Sequence, residues 1–382
     1  MYKDVIDFIK SLYPNENPVP LHVPCFTGNE KKYLNDCIDS TFVSYLGAYV
    51  KKFEEMMAQY VGVKHAIATV NGTAALHLAL MGAGVKRNDE VITQALTFVA
   101  TVNAICYVGA APIFIDSDKL RLGLSFAKLE EFLVSETERR ADGYTYNKKT
   151  GRRISACVPM HVFGFPLEIA EVSAICKKYN IALLEDAAES LGSFVVDRHT
   201  GTFGKAGILS FNGNKTITTG GGGMVITDDD ELAQRIRHIS TTAKVAHSWE
   251  YIHDEIGYNY RMPNINAAVG SAQMEKLDLY LANKRDLAQK YAGYFAAGSI
   301  QFLEEKAGTR ANYWLNTILL KNRAERDVFL RQTNEQKVQT RPIWRLMSKL
   351  PMFAGFQKAN LDNAEWLEDR VVNIPSSVRF ST

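Results

Sequence analysis

Cysteine is scarce in this chain. The five present (Cys25, Cys37, Cys106, Cys157 and Cys176) are scattered and odd in number. No pair has Cys-x-x-Cys spacing, so neither a structural metal site nor a disulfide framework is indicated. An excess of one charge sign is also missing. With 44 basic and 42 acidic residues the formal net charge is +2, which gives no electrostatic case for nucleic acid or an anionic membrane as partner. No apolar run approaches the roughly 20 residues of a membrane span. The opening residues, Met1 to Asp7, lack the apolar core of a signal peptide. These absences lead us to expect a cytoplasmic protein. What remains, 46% hydrophobic and 23% charged residues, is the composition of an ordinary globular chain. At 382 residues it is long enough for two domains.

A short helix around Val5–Ile9 and a proline-rich link make residues 1–20 an N-terminal helical extension. From there to about residue 268, β-rich apolar runs alternate with helical patterns. Strands are expected at His65–Thr69, Glu90–Thr93, Pro112–Ile115, Ile154–Met160, Ile181–Leu184, Gly207–Phe211 and Met224–Thr227. Helices are expected at Ala74–Met81 and Ile169–Tyr179. Such alternation predicts a buried, mostly parallel sheet, an α/β domain over 21–268. Beyond it the pattern changes to a smaller α+β domain over 269–382. That part reads as a long helix at Ala272–Tyr294, a strand with exposed aromatics at Tyr313–Leu319 and a helix at Ala324–Asn334. The polar stretch Glu136–Arg153 reads as a surface loop.

Lys215 is the most informative residue. It lies between the last two expected strands of the large domain and is followed by four glycines, Gly220 to Gly223. Without Cβ atoms that backbone can be approached closely. A Walker-type phosphate loop is excluded by order, because its lysine follows the glycines rather than preceding them. Alone, such a lysine reads as a solvated turn residue, but two other segments add chemistry. Asp186 ends the apolar run Ile181–Glu185, the position where parallel sheets collect ligands. It is either a helix cap or the partner of a buried cation. A lysine and an aspartate so placed suit an aldehyde cofactor: the amine forms an imine and the carboxylate keeps a ring nitrogen protonated. Asn71-Gly72-Thr73 opens a helix after the first strand and offers amides to a phosphate, and Ser210 offers a hydroxyl. Phe98 can stack on a ring.

Together the segments Val70–Leu76, Thr97–Thr101, Pro159–Gly164, Glu185–Glu189, Ser210–Lys215 and Gly257–Met262 resemble, in order and spacing, the pyridoxal-phosphate-dependent sugar aminotransferases of the StrS/DegT type. The resemblance covers about Pro20 to Val378. It implies an aspartate-aminotransferase-like (fold type I) large domain and a homodimer with shared active sites. Carried over by position, Lys215 bonds the cofactor aldehyde and Asp186 pairs with the pyridinium nitrogen. Gly72, Thr73 and Ser210 bind phosphate, Phe98 covers one ring face, and Asn259 reaches the phosphate from the partner subunit. Pyridoxamine phosphate is the implied intermediate form of the cofactor.

Most members have histidine or glutamine three residues past the aspartate, beside the cofactor hydroxyl, where this chain has Glu189. A subset acting on 4-keto-6-deoxy-N-acetylglucosamine nucleotides is similar here, with the same Asp186–Ser190 stretch. Phe26–Tyr33, Ser210–Gly223, Trp249–Gly257 and Thr340–Met347 resemble the legionaminic-acid-pathway members of that subset. The implied reaction takes an amino group from L-glutamate to C4 of a nucleotide-linked 4-keto-6-deoxy-N-acetylhexosamine. The product would serve a cell-surface amino sugar such as legionaminic acid or bacillosamine. Three alternatives stay open: a perosamine-type keto sugar as substrate, a pyridoxamine-dependent dehydratase, and a regulator that binds pyridoxal phosphate or a nucleotide without turnover. The dehydratases carry histidine at the lysine position, so Lys215 speaks against them. UDP is not distinguished from GDP, nor axial from equatorial amine. His161, Tyr313, Trp314 and Arg341 are further candidates for substrate contact, His161 being equally readable as a satisfied core residue.

Overall fold

A computed structural model describes residues 2–379. Its centre is a seven-stranded sheet of β1 (His65–Thr69), β2 (Glu90–Gln94), β3 (Ala111–Ile115), β4 (Ile154–Cys157), β5 (Ala182–Asp186), β6 (Ala206–Ser210) and β7 (Gly223–Thr227). The spatial order is β3-β2-β4-β5-β6-β7-β1. β7 runs antiparallel to both β1 and β6, while the pairs among the other neighbours are parallel. Both faces are buried, so alternate residues of one strand serve different cores. Ile67, Val91, Ala156, Leu184, Ile208 and Val225 pack on one side, under the helices Gly72–Gly82 and Asp230–Ser240. On the opposite face Ala66, Ala68, Leu209 and Met224 meet the helix Ala48–Val61, and Ile92, Ile113, Cys157 and Leu183 meet the helices Phe126–Glu136 and Ile169–Lys178. This mixed, mostly parallel sheet is the α/β architecture expected for the large domain.

The smaller unit is an antiparallel sheet of Gln301–Phe302, Asn316–Leu319, Val371–Ile374 and Arg341–Pro342. The N-terminal helix Lys3–Leu12 joins its core: Tyr2, Ile6 and Ile9 share one cluster with Tyr291, Phe329 and Val372. Tyr2 and the helix Lys3–Leu12 are thus a layer of this unit rather than an appendage.

Several expectations are corrected. The long helix foreseen from Ala272 is two helices, Asn264–Met274 and Leu277–Phe295, broken at Glu275–Lys276. The strand foreseen from Tyr313 starts only at Asn316, because Tyr313 has φ +49° and the Trp314 N–H is taken by the Asn312 side chain. Both aromatics are buried rather than exposed. The strand at Ile154 stops at Cys157, ahead of Phe163 at φ +55°. The polar stretch after Glu136 contains a hairpin, Thr137–Arg139 with Thr145–Asn147, turning at Asp142-Gly143.

Candidate active site

The carboxyl ends of β1, β2, β5 and β6 open onto one cavity of about 330 Å³. Among its lining residues are Gly72, Thr73, Phe98, Asp186, Glu189, Ser210, Lys215 and Trp314. The topology explains the convergence. Parallel strands deliver their ends to one edge, and the reversed β7 lets the β6–β7 connection carry Lys215 back over that edge.

Asn71 caps the helix Gly72–Gly82 by accepting the Ala74 N–H at 2.8 Å. Asn71, Gly72 and Thr73 line the cavity, so the helix start with its free amides and positive dipole end lies beside it, a favourable place for an anion. Close packing forms this turn. A Cβ on Gly223 would lie 2.4 Å from the Asn71 carbonyl carbon, and one on Gly72 would lie 3.1 Å from Ser210 Cβ. Here the glycine run after Lys215 has its physical reason, since β7 begins against the phosphate turn.

Asp186 is buried at the end of β5. Thr101 Oγ1 donates to its Oδ2 at 2.6 Å and the Ala188 N–H donates to Oδ1 at 3.2 Å. Among the described residues no cation pairs with it. Burial raises its pKa, and Thr101, Ala188 and the more distant Lys215 and His161 only partly offset that. A desolvated carboxylate without a cation fits a ligand that brings its own N–H⁺. The residues therefore suit a pyridinium ring with a phosphate at the far end.

Lys215 Nζ donates to Glu189 Oε1 at 3.0 Å and sits 3.9 Å from the centre of the Trp314 indole. Glu189 Oε2 accepts the Phe163 N–H at 2.9 Å. Burial pushes the Glu189 pKa up to about 7, against the opposing pull of Lys215. Trp314 is itself fixed, its indole N–H donating to the Asn214 carbonyl at 2.6 Å. Phe98 stands at the mouth with its ring 5.9 Å from that of Trp344, which packs 4.9 Å from Phe163.

A family model, that of the DegT/DnrJ/EryC1/StrS aminotransferase family, matches this chain over residues 24–382. The chain belongs to that family. As in the rest of this family, its cofactor is pyridoxal 5′-phosphate, and it is an aminotransferase. It is 38% identical over 359 residues to the GDP-perosamine synthase of Escherichia coli O157:H7, covering 94% of this chain and 93% of that one. It is 37% identical to the GDP-perosamine synthase of Vibrio cholerae over 361 residues, 94% of each. Among solved structures, a DegT DnrJ EryC1 StrS aminotransferase from Brucella abortus superposes with TM-score 0.82 at 26% identity, covering 92% and 91% of the two chains. The likeness to perosamine synthases replaces a specific legionaminic-pathway assignment with the broader one of a sugar aminotransferase.

Three candidate substrate residues lie away from the cavity. His161 is buried with both ring nitrogens engaged: Nε2 lies 3.0 Å from Glu185 Oε2, and Nδ1 accepts the Leu167 N–H at 3.3 Å. It is the satisfied core histidine. Tyr313 turns into the small-domain core, where its hydroxyl accepts the Glu305 N–H at 3.1 Å and its ring meets Phe165 edge-on. Arg341 is exposed on the strand Arg341–Pro342 and donates to Asn334 Oδ1 at 3.1 Å. Asn259 is exposed, bridged to Thr241, and does not line the cavity of its own chain. Sequence reasoning missed Thr101 and Trp344. Thr101 had a signal, since Thr97 and Thr101 stand four apart and their hydroxyls meet at 3.0 Å. Trp344 lay within the Thr340–Met347 stretch of the resemblance but was not singled out, because only the tertiary fold brings that stretch to the cavity.

Proposed function

We propose that this aminotransferase moves the amino group of L-glutamate to the C4 ketone of a nucleotide-linked 4-keto-6-deoxyhexose, releasing 2-oxoglutarate and a 4-amino sugar nucleotide. The observation that carries the reading is one cavity lined together by Lys215, Asp186 and the Gly72–Thr73 turn. When bound there, pyridoxal phosphate supplies a carbonyl carbon for exchange of amines and a ring that accepts the electron pair from the substrate carbon. The chain's own groups do the rest. Gly72 and Thr73 amides and the Ser210 hydroxyl hold the phosphate dianion. Asp186 keeps the ring nitrogen protonated. Phe98 covers one face and narrows access for water. Lys215 Nζ removes the proton from the amine-bearing carbon of glutamate and returns one to C4 of the sugar in the second half of the cycle. Glu189, 3.0 Å from that amine, steadies Nζ between the two transfers.

Similarity to perosamine synthases favours a GDP-linked 4-keto-6-deoxymannose as acceptor. The Asp186–Ser190 stretch with Glu189 supports a second acceptor, the N-acetylated 4-keto-6-deoxyhexosamine nucleotide. We read the site as shared across a homodimer, with Asn259 entering the partner's cavity. Exposed Phe26, Phe42 and Leu46, together with Trp249 and Tyr251, leave apolar surface that a second copy would cover. The test is a pair of assays with L-glutamate and each keto sugar, following 2-oxoglutarate and the amino sugar by mass spectrometry. Faster turnover of the GDP-linked acceptor is expected. Absence of amino-sugar product with either acceptor would reject the reading.

A further inference from the structure

Behind the cavity wall Lys284, on the helix Leu277–Phe295, is fully buried, which is rare for lysine without a carboxylate partner. Among the described residues no carboxylate pairs with it. Its Nζ donates to the Ser376 carbonyl at 2.6 Å and the Trp314 carbonyl at 3.2 Å, and lies 2.9 Å from His22 Nε2. Three acceptors match the three donors of an ammonium group. Burial alone pushes the Lys284 pKa down to about 7.

The groups around it are few. His22 lies on the N-terminal segment that the Ser376 N–H clamps at the Leu21 carbonyl, 2.7 Å away. Burial, then the positive charges of Lys284 and Lys215, hold its imidazole well below the usual range. The ring is therefore neutral and accepts at Nε2, and the backbone of Asn214 beside it only partly offsets the lowering. From the other packed segments, Trp314 and Ser376 present backbone carbonyls, and the charge of Lys215, paired with Glu189, reaches His22.

Trp314 is gripped at three points. Its N–H donates to Asn312 Oδ1 at 2.7 Å, its carbonyl accepts from Lys284, and its indole N–H donates to Asn214, next to Lys215 in the chain. The preceding Tyr313 has φ +49°, a conformation that persists for a bulky residue only where its surroundings over-determine it. We infer that Lys284 is a positioning residue: its charge-assisted bond to the Trp314 carbonyl holds the indole against Lys215, and loss of the Lys284 proton loosens that hold. Bonds from an ammonium are about twice as strong as those from a neutral amine, so the indole position follows the protonation of a residue that never touches substrate. The consequence for turnover rests on the proposed role of Lys215, whereas the geometry does not.

The experiment uses the full chain labelled with 5-fluorotryptophan, with and without added pyridoxal phosphate. The Trp314 ¹⁹F resonance is assigned through Trp314→Phe. It is expected to titrate near neutral pH in the wild-type protein, to stop titrating in Lys284→Met, and to keep titrating in Glu189→Gln. A second variant, His22→Leu, removes one acceptor from the ammonium. It should move the midpoint down by about one pH unit, roughly the worth of one hydrogen bond to a charged group. If Lys284→Met does not fold, this variant decides. A flat wild-type resonance, a titration that survives Lys284→Met, one abolished by Glu189→Gln, or an unmoved midpoint in His22→Leu would overturn the inference. Absent aminotransferase activity alongside a Lys284-dependent titration would instead sink the proposed function and leave this inference standing.

Discussion

At the scale of single residues, the site holds a Lys215–Glu189 ion pair and, in Asp186, a buried carboxylate that no cation pairs with among the described residues. Lys215→Ala should leave a folded protein and cut transamination by about a thousandfold or more, because one amine serves as both attachment point and proton carrier. Measurable turnover near the wild-type rate would refute its role. Asp186→Asn keeps the shape but cannot hold a ring proton. Catalysis should fall by about a hundredfold or more while cofactor affinity changes by less than about tenfold, as checked by single-turnover rates beside equilibrium titration. Glu189 gives a pH signature. Its pKa is raised from 4.5 to about 7 by burial, so between those values the folded state binds more protons than the unfolded one. Its contribution to stability is then full below 4.5 and lost as pH rises through about 7. Glu189→Gln should flatten that part of the stability profile in urea unfolding measured across the window.

At the scale of elements, the cavity depends on the joint between β7 and the helix Gly72–Gly82. A Cβ at Gly223 would meet the Asn71 carbonyl carbon and oxygen, both 2.4 Å away. Those are backbone atoms that cannot rotate aside. Gly223→Ala should therefore push the phosphate turn out of place, costing about 1–3 kcal/mol of stability and weakening cofactor binding in the same variant. Calorimetry with and without cofactor separates the two effects. Unchanged cofactor affinity would mean that the turn does not hold the phosphate. The helix itself starts where it does because Asn71 accepts the Ala74 N–H, a cap worth about 1 kcal/mol.

At the scale of the whole molecule, the expected homodimer makes two sites from two chains. Asn259 is exposed and absent from the lining of its own chain's cavity, in keeping with an action across the interface. In mixed dimers of Asn259→Ala and Lys215→Ala subunits, an action in trans places both lesions in one site and neither in the other. Up to about half of native activity should then return, because a two-fold interface repeats each contact. Activity held at the level of the parents would put Asn259 in its own subunit's site. Cofactor should also stabilise the assembly through linkage, by about 2.7 kcal/mol at a hundredfold excess over its dissociation constant.

Sequence alone determined what local chemistry and short periods can encode. The seven sheet strands were legible because buried strands are short apolar runs bounded by turn residues, as at Glu90–Gln94 and Ala182–Asp186. The Asn71-Gly72-Thr73 turn, Asp186 and Lys215 were legible because each sits at a strand end, and in a parallel sheet those ends share an edge. Tertiary structure decided what depends on distant segments meeting. It turned His161 and Tyr313 into core residues and carried Arg341 to the surface. It brought Thr101 onto Asp186, Trp344 to the cavity mouth, and Lys284 behind Trp314. The small-domain residues among these cannot be read from spacing, because side-chain direction there follows from positive-φ turns such as Tyr313. Those turns hold only when packing from both domains forces them.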